Sequence, residues 1–293
     1  MVAIINKSKL LGVTYVVIAS MAFGSVGIFV KLARLENTPL DSILLFSYLT
    51  SAIAAGFVGR LSGQSFKITR RQGLHIAVFG SIAFYFTGYF MGLSYDYIPV
   101  GLAYMLHFSY PVIVTVFMTA VFREKVTFIK ILALAVAFIG IALLADFKGG
   151  ISPIGVVLAL ATGFTYASYI IAGKKSAFKD LNGIIIVFYL NVFSSVLLMV
   201  LQLFRGPVIL PPSAIAWLFV VLSGMAGNVF ALTMLTIAIK ILGSTRTAIL
   251  NMLEPIVAVI LGVIIFNEQL TLIAAGGCVM VVVSAILVTM ESG

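Results

Sequence analysis

Ten apolar runs, each close to the length of a membrane-crossing helix, follow one another along the chain with only short interruptions. Their approximate limits are 10 to 33, 41 to 59, 73 to 95, 98 to 122, 127 to 146, 153 to 173, 183 to 204, 213 to 239, 243 to 266 and 270 to 290. A helix of about twenty apolar residues rises roughly 30 Å, the thickness of a bilayer's hydrocarbon core. In a 293-residue chain that is 62% hydrophobic and only 9% charged, such runs exclude a soluble globular protein. A membrane β-barrel would instead alternate apolar and polar residues over shorter segments. The expected fold is an all-α membrane protein with ten transmembrane helices. The first run follows Lys7 and Lys9, but it is too long for a secretory signal and has a counterpart later in the chain.

That counterpart belongs to an internal duplication. The stretch from Pro99 to Thr127 returns 144 positions later, from Gly243 to Thr271. Leu106 falls on Leu250, Pro111 on Pro255, Phe122 on Phe266, Glu124 on Glu268 and Thr127 on Thr271. Both copies are apolar runs with a proline near the middle, closed by a phenylalanine and a glutamate. Residues 11 to 31 likewise overlay 154 to 174, with Gly12 on Gly155, Ser25 on Ser168 and Lys31 on Lys174; in the third and eighth runs Gly80 falls on Gly224 and Phe86 on Phe230. The chain divides into two five-helix halves, 1–147 and 148–293.

Five helices per half is an odd number, so the second half enters the membrane from the opposite side and the repeats are inverted. Charge tests this. With the N-terminus inside, fourteen Lys and Arg fall on the inner side: Lys7, Lys9, Arg60, Lys67, Arg70, Arg71, Arg123, Lys125, Lys130, Lys174, Lys175, Lys179, Lys240 and Arg246. Only Lys31, Arg34, Lys148 and Arg205 fall outside. That asymmetry follows the positive-inside rule and places both termini in the cytoplasm. The net charge of +9 is thus a topology signal, and no nucleic-acid partner is expected. The single cysteine, Cys278, leaves no intrachain disulfide, and there is no Cys/His spacing for a metal. With no phosphate-binding loop, nucleophile elbow or zinc-protease motif, neither an enzyme nor a cofactor is expected.

The segments YPVIVTVFMTAVFREKVT from Tyr110 and LEPIVAVILGVIIFNEQLT from Leu253, set in two inverted five-helix halves, make the chain similar to the drug/metabolite transporter superfamily, EamA branch. The resemblance spans essentially the whole chain. It implies a secondary carrier working by alternating access around a midplane cavity, formed mainly by helices one, three, four, six, eight and nine. Carriers of this kind export amino acids or other small metabolites, and some move drugs or nucleotide sugars. A prokaryotic inner membrane is the expected location, with the lipid bilayer and a small-molecule substrate as partners.

An ionisable group near the bilayer midplane is costly unless it finds a partner or a cavity. Glu254 and His107 both lie mid-run, and the repeat alignment sets His107 on Asn251 and Tyr110 on Glu254. Tyr104, His107, Pro111 and Thr115 recur at helical spacing along one side, as do Thr247, Asn251, Glu254 and Ala258. Each proline removes an intrahelical bond and is expected to free a carbonyl on that stripe, His107's and Asn251's. Two readings stand for Glu254 and His107: cargo or proton binding, or a neutral hydrogen-bonded group that fixes helix packing. Proton coupling fits the first if water reaches them alternately from each side. Phe23, Tyr85, Tyr89, Tyr104, Tyr110 and Tyr166 are candidates for an aromatic lining, suited to an amphipathic or cationic cargo, and Asn228 for a buried amide contact. Glu124 and Glu268 sit at helix ends, where capping or pairing is the expected role.

One midplane acid without a midplane Lys or Arg favours an amino acid-like, zwitterionic or cationic cargo. A multidrug, nucleobase or nucleotide-sugar carrier of the same fold is the alternative. A channel would need a continuous polar pore, for which these helices give little material.

Overall fold

The computed structural model describes residues 7–94, 96–98, 100–144, 152–266 and 271–290. Its membrane helices are α1 (Lys7–Leu35), α2 (Leu40–Leu61), α3 (Arg70–Ser94), α4 (Val100–His107 and Tyr110–Ala120), α5 (Phe128–Leu144), α6 (Pro153–Lys175), α7 (Gly183–Arg205), α8 (Ala214–Leu242), α9 (Ser244–Leu250, Asn251–Leu253 and Glu254–Phe266) and α10 (Leu272–Met290). Among the described residues, nine of these are long and apolar enough to cross a membrane, and α5 is a shorter apolar helix. Pro99 and Glu268, noted in the repeat, lie outside the described residues.

Local chemistry ends each helix where the sequence stops being apolar. Thr69 and Gln72 form a reciprocal capping box at the start of α3. Asn182 caps α7 by accepting from the Ile184 N–H at 3.0 Å, and Ser213 caps α8 by accepting from the Ala216 N–H at 3.0 Å. Only Gly243 separates α8 from α9; its φ of 86° reverses the chain in a conformation closed to residues with a side chain.

Packing between the two halves obeys an exchange rule. α5 lies on α10 and α2 on α7; α3 lies on α6 as α8 lies on α1; α4 lies on α6 as α9 lies on α1. Exchanging the halves returns the same set of neighbours, as an inverted repeat requires. Most of the buried apolar side chains form one cluster that runs through α1 and through every helix from α4 to α10.

The duplicated helices are interrupted at matching depths. α4 breaks at Phe108 and Ser109, just before Pro111, and α9 tightens into a 3₁₀ turn over Asn251–Leu253, just before Pro255. The carbonyl expected to be freed at Asn251 is not free, because the tightened turn lets the Glu254 N–H reach it. α3 and α8 each contain a π-helical segment, Ile76–Ile82 and Gly224–Ala231, which the apolar pattern does not announce. These overlap in the repeat alignment at Gly80 and Gly224, and they pack on α7 and α2 respectively.

The two ends of the bundle differ. On the face that carries Lys174, Lys179 and Lys240, here called the basic face, the Ser244–Leu250 part of α9 packs on the Tyr110–Ala120 part of α4. At the opposite face, Val100–His107 and Glu254–Phe266 make no comparable contact among the described residues.

Candidate functional site

The two interruptions bring the mid-run polar residues together. Asn251 is the hub, fully buried at the point where α1, α4 and α9 meet. Its amide nitrogen donates to the Tyr110 hydroxyl at 3.1 Å and to Glu254 Oε2 at 3.3 Å, and its oxygen accepts from the Ser20 hydroxyl at 3.0 Å. The Tyr110 hydroxyl donates in turn to the Ala248 carbonyl at 3.4 Å. Close helix approach makes this possible. A Cβ on Gly24 would stand 2.8 Å from the Glu254 carbonyl, so only glycine one turn after Ser20 lets α1 lie against the α9 turn.

His107 ends the first part of α4, where the helix break turns its ring toward α6. Its Nδ1 lies 2.9 Å from the Thr162 hydroxyl. The ring is set among aromatic neighbours, with centroids 5.4 Å from Tyr110 and 5.4 Å from Tyr166, and Tyr166 meets Tyr110 edge-on at 4.8 Å. Tyr169, one turn along α6, continues the wall and hydrogen-bonds Thr236 of α8 at 2.8 Å.

Three polar atoms at this junction have no hydrogen-bond partner among the described residues: Glu254 Oε1, His107 Nε2 and the Tyr166 hydroxyl. Glu254 keeps 9% of its surface, His107 7% and Tyr166 4%, against none for Asn251 and Tyr110. The site thus divides into a sealed scaffold, Ser20, Asn251 and Tyr110, and a small set of available groups.

The remaining sequence candidates fall elsewhere. Tyr104 lies one turn before Phe108 and approaches α1, where a Cβ on Gly27 would come within 2.8 Å of its hydroxyl. Phe23 packs, half-buried, on the central cluster beside Ser20. Tyr85 and Tyr89 belong to a separate group: stacked 5.5 Å apart, they hold Arg205, whose guanidinium donates to the Tyr85 hydroxyl at 3.0 Å, lies 4.4 Å over the Tyr89 ring and pairs with Asp41 at 3.4 Å. Asn228 lies in the π-helical segment of α8, where its backbone carbonyl faces the Asn191 amide at 3.5 Å. Ser20 and Thr162 were not singled out by the sequence, since each reads there as one more hydroxyl in an apolar helix.

Two apolar grooves open on the perimeter, one of about 320 Å³ between α3 and α7 around Phe193 and one of about 560 Å³ between α1 and α8 around Met21 and Phe230. Neither touches Glu254 or His107. Their exposed apolar rims mark them as lipid-facing.

The EamA-like transporter family model matches residues 10–145 and again residues 153–290. The chain belongs to this family. The EamA relatives are themselves described only as uncharacterized transporters. YxxF of Bacillus subtilis is 25% identical over 95% of this chain and 89% of its own length. YvbV of the same organism is 27% identical over 68% of this chain and 66% of its own length. A Synechocystis protein, sll1319, is 24% identical over 68% of this chain and 61% of its own length. A crystal structure 16% identical in sequence superposes with a TM-score of 0.80 over 97% of this chain and 99% of that one, which shows a shared fold. The chain is therefore an integral membrane transporter of the EamA type, with ten helices in two repeats.

Proposed function

We propose that this EamA transporter is a secondary carrier that exports a small organic metabolite bearing an ammonium group, cationic or zwitterionic, across the cytoplasmic membrane of a prokaryote. The observation that carries the cargo class is the meeting of Glu254 Oε1, His107 Nε2 and the Tyr166 hydroxyl, each without a hydrogen-bond partner among the described residues, where α4, α6 and α9 join the two halves. A carboxylate beside aromatic faces attracts an ammonium through charge and cation–π contact, and no lysine or arginine among the bonds described there offers a counter-charge for an anion.

The packed basic face and the unpaired opposite ends of α4 and α9 support a carrier caught closed toward the cytoplasm. Cytoplasmic placement of both termini rests on the fourteen-to-four distribution of Lys and Arg. Export would proceed by alternating access, with α3 and α4 on α6 rocking against α8 and α9 on α1, so that the same groups face each side in turn. Glu254 is also the natural proton carrier, because Asn251 can donate to it when charged and a bound cargo replaces the proton as its partner.

Counterflow in proteoliposomes, with amino acids, polyamines and small amines as trial cargoes, tests the reading. Saturable exchange of an ammonium compound is expected, with at least a tenfold loss in Glu254→Gln at unchanged fold, since Gln keeps the acceptor for Asn251. Exchange restricted to anions, or full ammonium transport by Glu254→Gln, would sink it. Proton movement accompanying transport, read with a pH dye in the lumen, should vanish in the same variant.

A further inference from the structure

The available face of His107 depends on where the ring carries its proton, and the surroundings decide that. Thr162 is fully buried on α6, and its hydroxyl lies 2.5 Å from the Ala159 carbonyl as well as 2.9 Å from His107 Nδ1. A hydroxyl has one proton. Two oxygens at 2.5 Å require that proton between them, since otherwise two lone pairs would face each other, so Thr162 donates to Ala159. Its oxygen then meets His107 Nδ1 as an acceptor, and the imidazole must supply the proton of that bond. The neutral ring is therefore protonated on Nδ1 and bare on Nε2.

We propose that Thr162 is a specificity-determining positioning residue: by accepting the Nδ1 proton of His107 it presents Nε2 as a hydrogen-bond acceptor, so that the site selects a cargo able to donate an N–H there. The threonine touches the cargo only through the histidine. The arrangement adds a second acceptor to Glu254 Oε1, and together the two select an ammonium with hydrogens over one whose hydrogens have all been replaced by methyl groups, a distinction that charge alone does not make. Glycine at position 163 is part of the device. A Cβ there would stand 2.5 Å from the Ser109 hydroxyl oxygen and 3.3 Å from the His107 carbonyl, so glycine lets α6 bring Thr162 to the ring.

The chain supplies its own reference. His75, the other of its two histidines, accepts the Ala177 N–H on Nδ1 at 3.2 Å and so carries its proton on Nε2. The two rings should hold opposite tautomers. The transport consequence rests on the cargo reading above, whereas the tautomer is read without any cargo.

The test is ¹⁵N NMR of full-length protein labelled at histidine, recorded in detergent at alkaline pH so that both rings are neutral, with His75→Gln to assign the signals. Wild-type His107 should show a protonated Nδ1 and an unprotonated Nε2. Thr162→Ser should keep this pattern; Thr162→Val, of the same shape but without an acceptor, should lose it. Titration with methylammonium should move the Nε2 resonance, whereas tetramethylammonium, which has neither an N–H nor an O–H, should leave it in place. The ratio of methylammonium to tetramethylammonium affinity should fall about tenfold in Thr162→Val and return in Thr162→Ser. A wild-type ring protonated on Nε2 overturns the proposal even if ammonium transport is established. The expected tautomer with equal response to both compounds overturns the selectivity, and leaves the ammonium cargo reading and the tautomer assignment standing. Should Thr162→Val fail to fold, the wild-type spectrum and the methylammonium and tetramethylammonium titrations still decide.

Discussion

Asn251 spends every hydrogen-bonding atom of its amide on protein, with Ser20, Tyr110 and Glu254 as partners on three helices. Its bond to Oε2 fixes the orientation of the Glu254 carboxyl group. Asn251→Leu keeps the volume and removes three bonds at once, taking from the buried Ser20 hydroxyl its acceptor and leaving the Tyr110 hydroxyl only its bond to the Ala248 carbonyl. Membrane hydrogen bonds are individually modest, so thermal unfolding in detergent should report a loss of about 1–2 kcal/mol. Transport should fall much further, about tenfold or more, because Glu254 loses its fixed direction. A variant that transports normally would show that the network is packing alone. Glu254 and His107 stood out in the sequence because an ionisable residue in the middle of an apolar run is costly unless it finds a partner or a cavity, with packing and binding both open as the reason. Ser20 and Thr162 were not, because hydroxyls in membrane helices commonly bond their own preceding turn, as Thr162 does with Ala159. Only the three-dimensional approach of α6 to the break in α4 gives the threonine its second contact. The reverse holds for Tyr85 and Tyr89, whose aromatic character pointed to the cavity, while the fold sets them around Arg205 and Asp41.

At the level of elements, the prolines of the repeat read truly as interruptions. Pro111 and Pro255 each follow a short non-α segment, and His107, Tyr110, Asn251 and Glu254 lie in or directly beside these segments. The π-helical turns of α3 and α8 had no such marker, since a glycine in a membrane helix signals close approach far more often than an extra residue per turn. Gly163 is a case where close approach decides the geometry of the site. Gly163→Ala drives a methyl group toward Ser109 and the His107 carbonyl, and should cost about 1–3 kcal/mol in thermal unfolding while displacing the His107 ring. Gly276 in α10 is the matched control, because nothing stands within 4 Å of a Cβ built there. Gly276→Ala should leave stability unchanged or raise it by up to about 1 kcal/mol, since alanine is the better helix former. A Gly163→Ala protein as stable as Gly276→Ala would mean that the α4–α6 approach sets no cost.

Over the whole molecule, the inverted repeat was visible in the chain because an odd helix count and the bias of basic residues agree, and the exchange of neighbours between halves follows from it. Which end of the bundle is closed was not visible, since two related halves encode both ends alike. The difference lies in how α6, α8 and α9 meet on the basic face. There the Lys174 ammonium donates to the Lys240 carbonyl at 3.0 Å, at the C-terminal end of α8, the Lys240 ammonium donates to the Leu181 carbonyl in the α6–α7 connection, and the Ser244 hydroxyl donates to the Ile170 carbonyl at 3.0 Å. A cation on the last carbonyls of a helix is worth about 0.3–1 kcal/mol. Removing it should raise the ratio of open to closed basic face by up to about fivefold. The measurement places a cysteine at residue 170, which is buried under α9 in the closed arrangement, in a chain carrying Cys278→Ser. An impermeant maleimide added from the basic side should label it several-fold faster in Lys174→Ala than in the parent, whereas Lys179→Ala, which removes the same charge from an exposed position of the same face, should leave the rate unchanged. Equal acceleration by both variants would assign the effect to surface charge acting on the reagent, and the lysine-to-carbonyl bridge would then have no part in holding the carrier shut.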